Sequence, residues 1–216
     1  MKTDSQLQRD VIAELNWEPS VDARQIGVEV SEGVVKLSGH VHSFAEKWNA
    51  EQAAQRVAGV RALAVDITVV LPGTSKRGDA DIARAAENLL QWSSYLPNDS
   101  VKVLVENGWI TLTGEVDWEY QKQAATRDVR NLMGVRGVSD QISINPKVSS
   151  EGIKADIEAA LKRRAKTEAE TISVEVHGDH VTLSGSVYSW PDRKLACHSA
   201  WGTPGVRAVT DNITVI

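Results

Sequence analysis

One pattern occurs three times in this chain, and it restricts the fold more than any other feature. The segments GVVKLSGHV from Gly33, GWITLTGEV from Gly108 and DHVTLSGSV from Asp179 share one order of residue types. Twenty residues after Gly39, Gly114 and Gly185 stands a second shared segment: GVRALAVDITV from Gly59, GVRGVSDQISI from Gly134 and GVRAVTDNITV from Gly205. The copies are offset by 75 and 71 residues, and the four-residue difference falls in a linker. A repeat with fixed internal spacing and variable connections predicts tandem folded units. We place them at residues 1–71, 77–145 and 148–216, joined through LPGTSKRG and NPKVS, whose Pro, Gly, Ser and Lys suit exposed connectors. Units this small bury modest cores, so mutual packing is expected.

Within each unit the periodicities name the elements. Leu7, Val11 and Leu15 align with Ile82, Ala86, Leu90 and with Ile153, Ile157, Leu161. That i, i+4, i+8 stripe predicts an opening amphipathic helix. Asp4, Asp79 and Ser150 stand where an N-cap is expected. Alternation follows at Ile26, Val28, Val30, at Val101, Val103, Val105 and at Ile172, Val174, Val176, the signature of a strand buried on one face. A two-residue turn, Asn107-Gly108 in the middle copy, leads into a returning strand. A second helix is expected at about 44–57, 119–132 and 191–201, with Ala50, Ala125 and Ala196 aligned, and a third strand closes each unit. The fold class is α/β (α+β): three α-β-β-α-β modules, each a mixed three-stranded sheet with two helices on one face.

The paired signature G-x-V-x-L-S/T-G-x-V and G-V-R-x-V/L…I-T/S-V resembles the BON domain family (bacterial OsmY and nodulation), in three copies over nearly the whole chain. The resemblance implies a non-enzymatic module linked to osmotic and general stress, attached to phospholipid surfaces, and supplies no catalytic motif. Many family members carry signal peptides. Here Asp4, Arg9, Asp10 and Glu14 interrupt any apolar leader, so the expected location is cytoplasmic, or periplasmic if a signal was removed. A protein-protein scaffold, its tandem modules adding avidity, is the alternative function.

Composition narrows the partners. The net charge of −5 gives no footprint for nucleic acid, and no apolar run is long enough to span a membrane. One cysteine, Cys197, excludes an internal disulfide. No cofactor or metal is expected: His177 and His180 flank one turn, His40 and His42 sit two apart, and neither pair has a third ligand near in sequence. Gly39, Gly114 and Gly185 are read as structural, ending a strand where a side chain would obstruct a bulge or a close helix approach. Gly59, Gly134 and Gly205 are read as left-handed residues after the second helix. Trp17 and Trp92, aligned just past the first helix, are read as lids on the core, and Trp48, Trp118, Trp190 and Trp201 follow no common alignment.

Two surfaces remain as candidates. Leu104 and Trp109 are placed by the hairpin register on the outer sheet face of the middle unit, where the other copies carry polar residues, and a neighbouring module is the expected cover. Lys162, Arg163, Arg164 and Lys166 form the one cationic cluster. They are candidate lipid contacts, although cations also complement a helix end, the simpler reading.

Overall fold

A computed structural model describes residues 2–145, 152–164 and 172–216. The first module runs α1 (Asp4–Trp17), β1 (Ile26–Ser31), β2 (Val34–Val41), α2 (Phe44–Arg56) and β3 (Ala62–Val69). The second repeats it with α3 (Asp79–Gln91), β4 (Val101–Glu106), β5 (Trp109–Val116), α4 (Glu119–Arg130) and β6 (Gly137–Ile144). The third has α5 (Ile153–Arg164), β7 (Ile172–His177), β8 (His180–Val187), α6 (Trp190–Trp201) and β9 (Ala208–Val215). The architecture is α+β in three tandem copies. Each sheet has the middle strand paired antiparallel to the first and parallel to the third. The parallel pair forces the chain across one face, and the second helix makes that crossing.

The helical stripes bury as their spacing requires. Leu7, Val11 and Leu15 meet Val28, Val35, Leu37 and the alanines Ala50, Ala53 and Ala54 in one cluster. Corresponding clusters form around Ile110 and Leu112 and around Val181 and Leu183. Side chains no larger than a methyl let α2 lie close on its sheet. The hairpin register is as the alternation predicts, with Glu29 opposite Lys36, Glu106 opposite Trp109 and His177 opposite His180.

Two local expectations are corrected. Asp4 and Asp79 are not caps. Thr3 caps α1 and Gly78 precedes α3, while the Asp79 carboxylate accepts the backbone N–H of Asn107 at 2.7 Å and of Gly108 at 2.9 Å. Asp4 holds Glu32 and Gly33 in the same way, at 2.9 and 3.2 Å. Both turn residues of these two hairpins have positive φ, which leaves their N–H groups outside the strand ladder and able to bind an anion. Each carboxylate therefore ties the start of the module to its hairpin. Ser150 lies outside the described residues. The second correction concerns Gly114, which sits inside β5 rather than at its end. Its φ is +138°, and the close approach is to backbone: a Cβ there would lie 2.0 Å from the Ser100 carbonyl oxygen. No helix is involved.

Candidate interaction surfaces

Leu104 and Trp109 do share the outer face of the middle sheet, Leu104 opposite Thr111. They are 57% and 49% exposed, so no neighbouring module covers them. The Trp109 indole instead lies over Gly137, its partner on β6, where a Cβ would come within 2.3 Å of the ring. Its Nε1–H donates to Ser139 Oγ at 2.8 Å. Gly137 escaped the sequence reading, although its signal was there: the motif reads GVRG in the middle copy and GVRA in the other two.

The aligned tryptophans are not lids. Trp17 ends α1 and Trp92 follows α3, and they are 81% and 89% exposed. Two of the largest apolar side chains therefore stand in water at one repeated position. Arg163 holds that position in the third copy, in the last turn of α5. The side chains of Lys162, Arg163 and Arg164, and all of Lys166, lie outside the described residues.

The modules meet through their second helices, where the four unaligned tryptophans reside. Phe44 on α2 packs against the core of the second module, and Arg130 on α4 lies 3.8 Å from the centre of the Trp48 ring. Trp190 on α6 packs against the core of the first module and donates its indole N–H to Val60 O at 2.8 Å. Lys194 of α6 also bonds Gln52 of α2. Trp201 packs against the core of the second module, and Arg207 reaches Asn145 at 2.9 Å. The contacts run first to second, second to third and third back to first. The chain closes a ring of three, as a heterologous contact repeated with the right rotation must.

The BON domain model matches this chain three times, over residues 3–70, 78–146 and 149–216. The chain belongs to the BON domain family. One relative of its three BON modules is osmotically-inducible protein Y of Escherichia coli (strain K12), 29% identical over 143 residues, or 64% of this chain and 71% of that protein. Among solved structures, CdsD, a structural protein of the type III secretion system of Chlamydia trachomatis, has 12% identity and a TM-score of 0.27, covering 96% of this chain and 91% of its own. The PrgH periplasmic domain has 14% identity and a TM-score of 0.24, covering 89% and 95%. Both overlays are too loose to bear on the BON fold or its function.

The remaining polar clusters of the BON modules are local. His180 Nε2 lies 2.8 Å from Thr210 Oγ1, and the His40 and His42 rings meet edge to face at 6.3 Å. Among the described residues no three His, Cys, Asp or Glu side chains converge as a metal site would require. Burial, then Asp211 beside it, pushes the thiol of the half-buried Cys197 up to about 12, which disfavours the reactive thiolate. Among the described residues no helix is long and apolar enough to cross a membrane.

Proposed function

We propose that this BON protein is a non-enzymatic, stress-associated module that docks on phospholipid surfaces, with Trp17 and Trp92 as its anchors. The observation that carries the reading is the exposure of these two rings at one repeated position. A tryptophan ring is amphipathic and partitions to the headgroup level of a bilayer, which gives such exposure a physical use. Both indoles hold one repeated position, which Arg163 fills in the third module. Two indoles and the cationic stretch of Lys162, Arg163, Arg164 and Lys166 in the third copy are the two kinds of signal that stable surface attachment requires. The osmotic inducibility named in the related protein supports a stress role. The compartment we propose for this role is the cytoplasm, and recovery of the native protein from the periplasm would contradict it.

The test is co-sedimentation with phosphatidylglycerol vesicles. Trp17→Ala with Trp92→Ala should reduce the bound fraction at least about tenfold, because each indole buries a large amphipathic area. Both rings are so exposed that the fold should not notice. Unchanged sedimentation of the double variant would refute the assignment.

A second reading is a protein-protein scaffold, and one observation favours it: Leu104 is exposed on β4, the edge strand of the middle sheet, and Trp109 is exposed on the same face of that sheet, over β6. Such an edge with adjacent apolar side chains accepts a partner strand. Retention of vesicle binding by Trp109→Glu separates this surface from the lipid anchors.

A further inference from the structure

The three junctions of the ring are not equivalent, and the difference has the form of a binding site. Phe44, Glu119 and Trp190 each stand five residues after the repeated strand glycine, at the start of the second helix. At two junctions an aromatic ring from this position plugs the neighbouring core. At the junction between the second and third modules the plug is a glutamate, and a cleft of about 460 Å³ stands open there, against about 260 Å³ beside Trp190 at the junction of the third module with the first. Its walls include Trp118, Glu119, Tyr120, Gln123, His198 and Trp201. That volume falls in the usual range for small-molecule sites, roughly 300–1,000 Å³.

We infer that this cleft binds a quaternary ammonium group, held between the Glu119 carboxylate and the aromatic rings of Trp118, Tyr120 and Trp201. The charge of Glu119 is only partly answered within the protein. Its Oε1 accepts one hydrogen bond, from Gln123 Nε2 at 3.1 Å. Lys122, whose charge acts on it, directs its Nζ to Ile142 O at 2.9 Å and to Asp140 at 3.6 Å. Burial pushes the Glu119 carboxyl above the usual carboxylate range, the sign of a charge short of compensation. The carbonyl end of α6 borders the same cleft, and a helix C-terminus favours positive charge. Tyr120 is held edge to face against Tyr95 at 6.4 Å, so that wall is already in place.

The wall chemistry selects the kind of cation. A primary ammonium or a guanidinium brings three to five N–H donors that each need an acceptor. Besides its aromatic rings the cleft offers few acceptors, the Glu119 carboxylate, the Gln123 amide and the last carbonyls of α6. A cation without N–H groups needs only opposite charge and π-faces, which is how aromatic sites hold quaternary ammonium ligands. A divalent metal would need a set of oxygen or nitrogen ligands that does not converge among the described residues.

The experiment uses the full chain labelled with nitrogen-15. The indole N–H signals of its seven tryptophans are followed during titration with choline and, separately, with its neutral isostere 3,3-dimethylbutan-1-ol. Choline should shift the Trp118 and Trp201 signals saturably, each assigned by its Trp→Phe variant, and the isostere should not. Glu119→Gln should weaken choline at least about tenfold, the usual scale for a partly desolvated cation contact. Phosphatidylcholine vesicles form the second arm. If they shift the same signals the group comes from a lipid headgroup, and if choline alone does so it is a free solute. No saturable shift by either, or equal binding of choline and its isostere, overturns the inference. The comparison on unmodified protein stands even if a variant folds poorly.

Discussion

Replacing Gly114 by alanine adds one methyl group, and the structure says what that methyl meets. At φ +138° an added Cβ would lie 2.0 Å from Ser100 O and 3.0 Å from Ser100 C. Neither atom belongs to a flexible side chain, so the strand pair itself must move. Holding a non-glycine residue in this conformation costs about 1–3 kcal/mol. The displaced carbonyl also accepts the Glu115 N–H at 3.1 Å, and losing that bond adds about 1 kcal/mol. The sum, about 2–4 kcal/mol, is a large part of the stability of a small module. In urea, with a slope of about 2 kcal/mol per molar, the midpoint should fall by roughly 1–2 M. The assay is far-UV circular dichroism against urea, with Gly73→Ala as the control. Gly73 has ordinary backbone angles and nothing within 4 Å of an added methyl, so its change should stay within about 0.5 kcal/mol. An unshifted midpoint for Gly114→Ala would refute the reasoning, since neither the close approach nor the positive φ could then be present.

Gly137→Ala should behave differently, because the atoms in its way are the Trp109 ring rather than backbone. The indole should swing off its seat and lose Ser139, moving its N–H resonance while stability falls by only about 1–2 kcal/mol; an unmoved resonance would contradict the seating. Cys197, its thiol held up to about 12 by burial and Asp211, should resist a disulfide reagent at pH 8 and react at once in denaturant. Rapid reaction of the folded protein would show the thiol to be accessible and partly ionised.

What repeats in this chain was readable, and what breaks the repeat was not. The helix stripes, the strand alternation and the hairpin register follow from periodicities that secondary structure imposes directly, which is why Glu29 falls opposite Lys36. Asp4 and Asp79 were misread because an acidic residue at a helix start is a cap by default. Their real partners lie 28 and 29 residues away, across a tertiary contact that no local pattern encodes. Trp17 and Trp92 were misread because an aligned aromatic is normally core, whereas here both rings stand exposed. The junction residues were opaque for the opposite reason. Phe44 and Trp190 do align, but only the packed ring shows that Glu119 between them is the odd member.

That odd member supplies a thermodynamic argument independent of any ligand. If the aromatic plug is the structural default of the junction, Glu119→Phe should stabilise the protein. A phenyl ring partly buried in the cleft contributes about 1–2 kcal/mol by area alone, and the substitution also removes a carboxylate that burial disfavours. The pH dependence separates the two contributions. A carboxyl raised in the folded state binds protons more readily there than in the unfolded chain, so the wild type gains stability as pH falls through the folded value toward the ordinary one. The variant lacks that gain, while every other titrating group, including the similarly raised Glu51, is common to both proteins. Its advantage should therefore be largest near pH 7 and shrink on acidification to about pH 4. Paired urea titrations at the two pH values measure the difference. An advantage that is independent of pH would mean the Glu119 carboxylate is well solvated, and a destabilised variant would mean that the open junction is not a vacant plug site at all.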